Sequence, residues 1–310
     1  MISELFTTTV LIGILASGIH LATPYLYAAI GETFGQKSGV LNLGVEGQML
    51  LGCFAAFYVA LTTGNLWLGL LAAMAVGALM GLAMAFVTVN LHAQQGISGI
   101  GFYLFGLGMS DLLFQKLMGT VETVKGFPEI YIPGLSDIPG IGEIFFSQNI
   151  LVYGAYLLVP LAWFVLNKTT LGLKIRSVGE NPDAADSLGV SVARVRYFTI
   201  ILGGTLSGLA GASLSIALLN VFQQNMTSGL GFIAVALVYF GAWRPVGVLG
   251  GALLFSMINS LQLWIQVLGI PIPSDIAVMM PYVLTILVLV ATVSRVRAPS
   301  ALTKPFEREA

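Results

Sequence analysis

Charge is what this chain has least of. Only 9% of its 310 residues are Asp, Glu, Lys or Arg, against about 25% in a soluble globular domain. A soluble helical protein needs charges along every exposed helix face, so that class is excluded. With 57% hydrophobic residues and a mean hydropathy of +0.92, most of the chain belongs in lipid. No basic patch is present, and a nucleic-acid partner is excluded with it. The single cysteine, Cys53, cannot form an internal disulfide; in its apolar run it reads as a small buried hydrophobe. Two histidines far apart, His20 and His92, make no metal-ligand cluster. The start also lacks the Lys/Arg n-region of a signal peptide and its apolar stretch is too long for an h-region, so it reads as a retained first span.

What is present is a series of apolar runs. A spanning helix needs about 20 largely apolar residues, and the candidates are 5–30, 45–63, 66–90, 98–117, 149–167, 197–219, 231–243, 248–268 and 276–294. The expected fold is therefore all-α: a polytopic membrane helix bundle of about nine spans, forming one domain over 1–310. The seventh run is short and ends at Arg244-Pro245, which suggests a half-helix or a tilted one. Lys and Arg collect in short cytoplasmic loops. They concentrate in 168–196 and in the tail 295–310, and placing both inside puts eleven of the thirteen basic residues in the cytoplasm. Only Lys116 and Lys125 then lie outside, in or beside the loop 118–148, and an odd span count leaves the N-terminus outside.

Residues 31–47, GETFGQKSGVLNLGVEG, carry five glycines and two acids between apolar stretches. They do not fit a phosphate loop, because only three residues separate Gly31 from Gly35 and Gln36 intervenes before Lys37. Gly96-Ile97-Ser98-Gly99 resembles an intramembrane serine-protease motif, but neither histidine follows Ser98 on a later helix to serve as its base. Ser98 reads instead as a helix cap and Gly99 as a packing residue. Asn42 and Glu46 remain: an acid at membrane depth usually faces a cavity or a partner, or it caps its own helix N-terminus, where the dipole favours an anion. The pattern around Ser38–Gly52 returns around Ser228–Gly241, and the expected topology runs the two copies in opposite directions, the arrangement of an inverted repeat with broken helices. Gly77-xxx-Gly81, Gly204-xxx-Gly208 and Ser207-xxx-Gly211 predict close helix contact.

Between the fifth and sixth runs lies TTLGLKIRSVGENPDAADSLGVSVARVRYF. Asn181 can cap a helix, Pro182 suits its first position, Asp183 favours its positive end and Gly189 stops it. A short surface helix follows, with alanines at 184 and 185 smoothing one face.

Asp183-Ala184-Ala185-xxx-Gly189 resembles the E-A-A-x-x-x-G loop of permeases in ATP-binding cassette importers, with Asp for Glu. Residues 32–47 resemble E-x-x-x-x-x-S-G-V-x-N-[LI]-G-x-E-G of the nucleoside and simple-sugar permeases, in the superfamily of branched-chain amino acid permeases. Further likeness in 172–189, 206–212 and 228–256 extends it over most of the chain. The resemblance implies a transport subunit without catalytic residues, in a bacterial or archaeal cytoplasmic membrane, multi-pass with a cytoplasmic C-terminus. It makes 168–196 a coupling loop in which Asp183, Ala184, Ala185 and Gly189 contact a separate ATPase subunit that carries the ATP and Mg, so this chain needs no cofactor. It also implies a second permease subunit, a related but different chain, and an extracytoplasmic substrate-binding protein. The solute is expected to be a nucleoside, or alternatively a simple sugar, with Asn42, Glu46, Phe232, Tyr239 and Asn259 along its path. An ion-coupled secondary transporter is the rival reading; Glu46 and Asp111 are its only candidate coupling acids.

Overall fold

The structure is a computed structural model that describes residues 7–269, 273, 276, 279–283, 286, 287, 290 and 297–307. Helices dominate it: α1 (Thr8–Lys37), α2 (Val45–Thr63), α3 (Leu66–Ala85), α4 (Gln95–Leu117), α5 (Ile141–Phe145), α6 (Ile150–Lys168), α7 (Thr170–Glu180), α8 (Pro182–Ser187), α9 (Val192–Ser213), α10 (Leu230–Phe240) and α11 (Pro245–Val267). Wide single turns at Phe86–Asn90 and Leu214–Leu218 prolong α3 and α9. With those extensions, α1, α2, α3, α4, α6, α9 and α11 are long and apolar enough to cross a bilayer, and α10 is shorter. Eight of the expected spans are thus helices; the ninth, 276–294, lies largely outside the described residues.

The helix ends follow local chemistry. The side-chain oxygens of Asn65 and Asn149 accept from the first amides of α3 and α6, and Gly64, at φ +67°, ends α2. Two expectations about local structure are corrected. Ser98 is not a cap: it lies inside α4, whose cap is Gln94, accepting from Ile97 N at 2.9 Å. The break near residue 31 is narrower than the glycines suggest, because α1 continues to Lys37. Gly31 sits inside α1 as a contact residue, where a Cβ would meet Leu206 Cβ and Gly203 O at 3.0 and 3.1 Å.

Small residues set the packing. A Cβ on Gly77 would overlap Gly204 O, one on Gly204 would overlap Gly77 O, and one on Gly81 would stand 2.9 Å from Ile200 O. Gly77-xxx-Gly81 of α3 and Gly204-xxx-Gly208 of α9 therefore cross backbone to backbone, dispersion contact that lipid cannot supply between larger side chains. α9 is the central helix, with fifteen of its residues buried, and it packs against α1, α2 and α3. Cys53 is fully buried beside it, its thiol donating to Gly211 O at 3.2 Å.

The two ends of the bundle differ. At one end, Lys37, Arg176 and Arg244 share a cavity wall, and Arg196 donates to Ser38 O and Lys304 O. The C-terminal segment 297–307 is pinned at this basic end, with Ala301 N donating to Gly179 O and Thr303 N to Gly39 O. At the other end, residues 118–149 carry Lys125, the short hairpin of β1 (Glu129–Tyr131) and β2 (Ser147–Asn149), and α5. α1 starts at that end, where a Cβ on Gly140 would meet Ile12.

Candidate functional site

The non-helical segment 38–44 does not stay at the surface. Leu41 N donates to Gln95 Oε1 at 2.8 Å, at the start of α4. Gly99 approaches Leu43 and Gly106 approaches Gly47. Gly44, just before α2, lies against Gly99 and Phe102, about 6 to 10 Å up α4 from Gln95, so the segment climbs back into the bundle before α2 begins.

Irregular backbone at that depth survives only where protein groups satisfy it. Ser38, Gly39 and Val40 donate to carbonyls at the end of α1, and the amides of Leu41, Asn42 and Gly44 are met by side chains of this run or its neighbours. Asn42 N donates to Glu32 Oε1 at 2.9 Å, Gln36 Nε2 donates to the same oxygen at 3.0 Å, and Gly44 N donates to Asn42 Oδ1 at 2.9 Å. Asn42 Nδ2 donates to Gln48 Oε1 at 3.2 Å. Ser38 and Thr199 hydroxyls meet at 2.7 Å. Gly39, at φ +90°, makes the turn itself. Glu32, Gln36, Asn42, Glu46 and Gln48 are all buried.

Glu46 stands in the first turn of α2, yet its carboxylate is spent on another helix. Thr227 Oγ1 and Gly229 N donate to Oε1 at 2.6 and 2.7 Å, and Gly231 N donates to Oε2 at 2.6 Å. Those donors are the N-terminal turn of α10, the short helix, so two helix N-termini converge on one buried acid, where both dipoles favour an anion. At the other end of α10, Trp243 Nε1 donates to Gln36 Oε1 at 2.7 Å. α10, about 16 Å long, is thereby clamped between Glu46 and Gln36, both from the opening run.

The remaining sequence-predicted residues lie elsewhere. Phe232, on α10, is 36% exposed and packs edge-on against Tyr103 of α4 at 5.2 Å. Tyr239 is half-buried, edge-on to Trp243 at 4.8 Å. Asn259 is half-buried on α11. The structure joins Asn42 and Glu46 through the α2 start, and Phe232 and Tyr239 through α10; it does not gather all five around one cavity. Sequence reasoning missed Glu32, Gln36, Gln48, Gln95 and Thr227. Their signal was weak: each is a polar residue within or beside an apolar run, and only the fold brings them together.

At the basic end, Asn181 Oδ1 caps α8, accepting from Ala184 N at 3.0 Å. Gly189 follows at φ +82°. Asp183 and Ala184 are exposed, whereas Ala185 turns inward and is buried in the chain's own core. Leu188, also missed, is 85% exposed, more than any other large apolar residue described. α7, expected as a loop, is an amphipathic helix burying Gly172, Ile175, Val178 and Gly179. A Cβ on Gly179 would overlap Lys37 O, so α7 presses on the end of α1. Among the described residues no group of His, Cys, Asp and Glu could hold a metal ion.

Residues 9–289 match the family described as branched-chain amino acid transport system / permease component. The chain belongs to this permease family. It is 39% identical to the guanosine ABC transporter permease protein NupQ of Bacillus subtilis, over 92% of this permease and 93% of the relative. It is 38% identical to the nucleoside ABC transporter permease protein NupC of Lactococcus lactis, over 93% and 94%. A third relative, TsgC13 of Haloferax volcanii, provisionally named for glucose transport, is 38% identical over 96% and 98%. In each of these organisms a second, more distant permease also matches, at 26 or 27% identity. No solved structure matches. The permease is a transport component of an ATP-binding cassette system and not an enzyme.

Proposed function

We propose that this permease forms half of a translocation path for a nucleoside in an ATP-driven importer, with its basic end in the cytoplasm. The observation that carries the solute class is the likeness, over more than nine-tenths of both chains, to permeases named for guanosine and nucleosides. Three organisms each supply two matching permeases of unequal similarity, which supports a partner that is a related, different chain. The pair of half-buried Tyr103 and exposed Phe232 gives the α4–α10 surface aromatic faces that suit a nucleobase, with Tyr239, Asn42, Glu46 and Asn259 as the other path residues.

The ATPase would seat on Asp183, Ala184, Leu188 and Gly189, while Ala185 ties that helix to the body of the permease. Movement of α8 would pass through α7 to the end of α1 and the 38–44 segment, and so to the Glu46 seat of α10. ATP and Mg stay on the ATPase, whose nucleotide state shifts the population between inward- and outward-open forms. An extracytoplasmic binding protein would deliver the solute.

The test is ATP-dependent uptake of radiolabelled guanosine into proteoliposomes containing the permease, its co-encoded partner permease and ATPase, and the binding protein. Uptake should require ATP and collapse in Leu188→Glu. Full uptake by this chain alone under an ion gradient would refute the reading. Glucose uptake in place of guanosine would support the sugar alternative, which the Haloferax relative favours.

A further inference from the structure

A cavity of about 530 Å³ opens at the basic end between the end of α1, α6, α7 and the start of α11. That is a ligand-sized volume. Lys37, Arg176 and Arg244 stand on its wall with the indoles of Trp163 and Trp243, and no carboxylate lines it. Glu180, close enough for Lys37 to feel its charge, is off the wall and accepts from Ser300 Oγ at 3.1 Å. Three cations with no acid among them repel one another unless an anion joins them.

Two further features point the same way. Arg244 is the N-cap of α11, a 23-residue helix whose first turn has no side-chain cap, and Pro245 and Val246 bring that positive helix end to the cavity. On α6, Lys168 Nζ lies 5.8 Å from the Trp163 ring centroid, the pairing of a basic residue with an indole that marks the level of the headgroups. Rising from there, Leu157, Leu161 and Phe164 are exposed at helical spacing on one face of α6, a track for an acyl chain. Val246 is exposed beside it.

The geometry points to an anionic phospholipid site: the phosphodiester held by Arg176, Arg244 and Lys37, and the acyl chain along Leu157, Leu161 and Phe164. Arginine forks match phosphate oxygens in pairs, and basic pockets between membrane helices hold anionic headgroups. The inference does not depend on the transported solute or on the ATPase.

It is tested by native mass spectrometry of the full-length permease in detergent with equimolar palmitoyl-oleoyl phosphatidylglycerol and phosphatidylcholine. The wild type should carry the phosphatidylglycerol adduct in excess. Arg176→Gln and Arg244→Gln should each lower that excess about five-fold, and Lys37→Gln added to both should bring the two lipids to parity. Lys174→Gln with Arg194→Gln, which removes two exposed charges at the same end, should leave it unchanged. Because Arg244 is exposed, its single variant serves should the triple one fail to fold. No excess in the wild type, or an excess that Arg244→Gln leaves undiminished, overturns the proposal. Displacement of phosphatidylglycerol by equimolar inorganic phosphate would overturn it in favour of a free-phosphate site.

Discussion

Glu46→Gln should loosen the start of α10 while leaving the fold in place. The carboxylate accepts three bonds, from Thr227 Oγ1, Gly229 N and Gly231 N. An amide of the same shape keeps one oxygen and turns the other into a donor, so at least one buried N–H faces an N–H. An orphaned buried donor costs about 1–3 kcal/mol, and loss of the anion from the helix end adds about 0.3–2 kcal/mol. Together they weaken the seat of α10 by about 2–4 kcal/mol, a factor of about 30 to 1000 in its local opening equilibrium. Hydrogen–deuterium exchange of a peptide covering 226–236 reads that equilibrium directly, with 70–80 in α3 as the internal reference. Exchange should accelerate in the first and not in the second, with Glu46→Asp in between. Exchange in 226–236 within about three-fold of wild type would refute the claim that this carboxylate seats α10.

Three further outcomes are expected. Gly77→Leu forces α3 from α9 where a Cβ already overlaps Gly204 O, and the folded yield on size-exclusion chromatography should fall sharply; Gly101→Ala, facing open space, should leave it unchanged. Trp243→Phe removes the donor to Gln36 Oε1 and should lower thermal stability by about 1–3 kcal/mol, read as earlier loss of monomer on heating. Arg196→Ala deletes the bonds to Ser38 O and Lys304 O, so the amides of Ala301 and Thr303 should exchange faster while those of α3 do not.

The spans were legible because a bilayer imposes length and composition on every crossing. Eight apolar runs, the short seventh among them, became helices within about five residues of their expected limits, apart from α1, which continues seven residues further. Asn181, Pro182 and Gly189 fixed α8 by cap chemistry that needs no distant partner. α7 escaped notice because two of the residues it buries are glycines, which read as loop. The role of Glu46 was only half legible. An acid beside a helix start limits the options to a cap, a partner or a cavity, and the residue that answers, Gly231, lies 185 positions away.

Class, span positions, the asymmetry of basic residues and the surface helix were determined by the sequence alone, because each rests on solvation or on chemistry within a few residues. The tertiary structure alone decided that α2 and α10 share one buried carboxylate, that Gln36 holds the far end of α10, and that Lys37, Arg176 and Arg244 enclose one cavity. Those are matters of which distant segments meet. Side-chain spacing along a chain carries no information on that until the close approach of glycine-rich helices has set the distances.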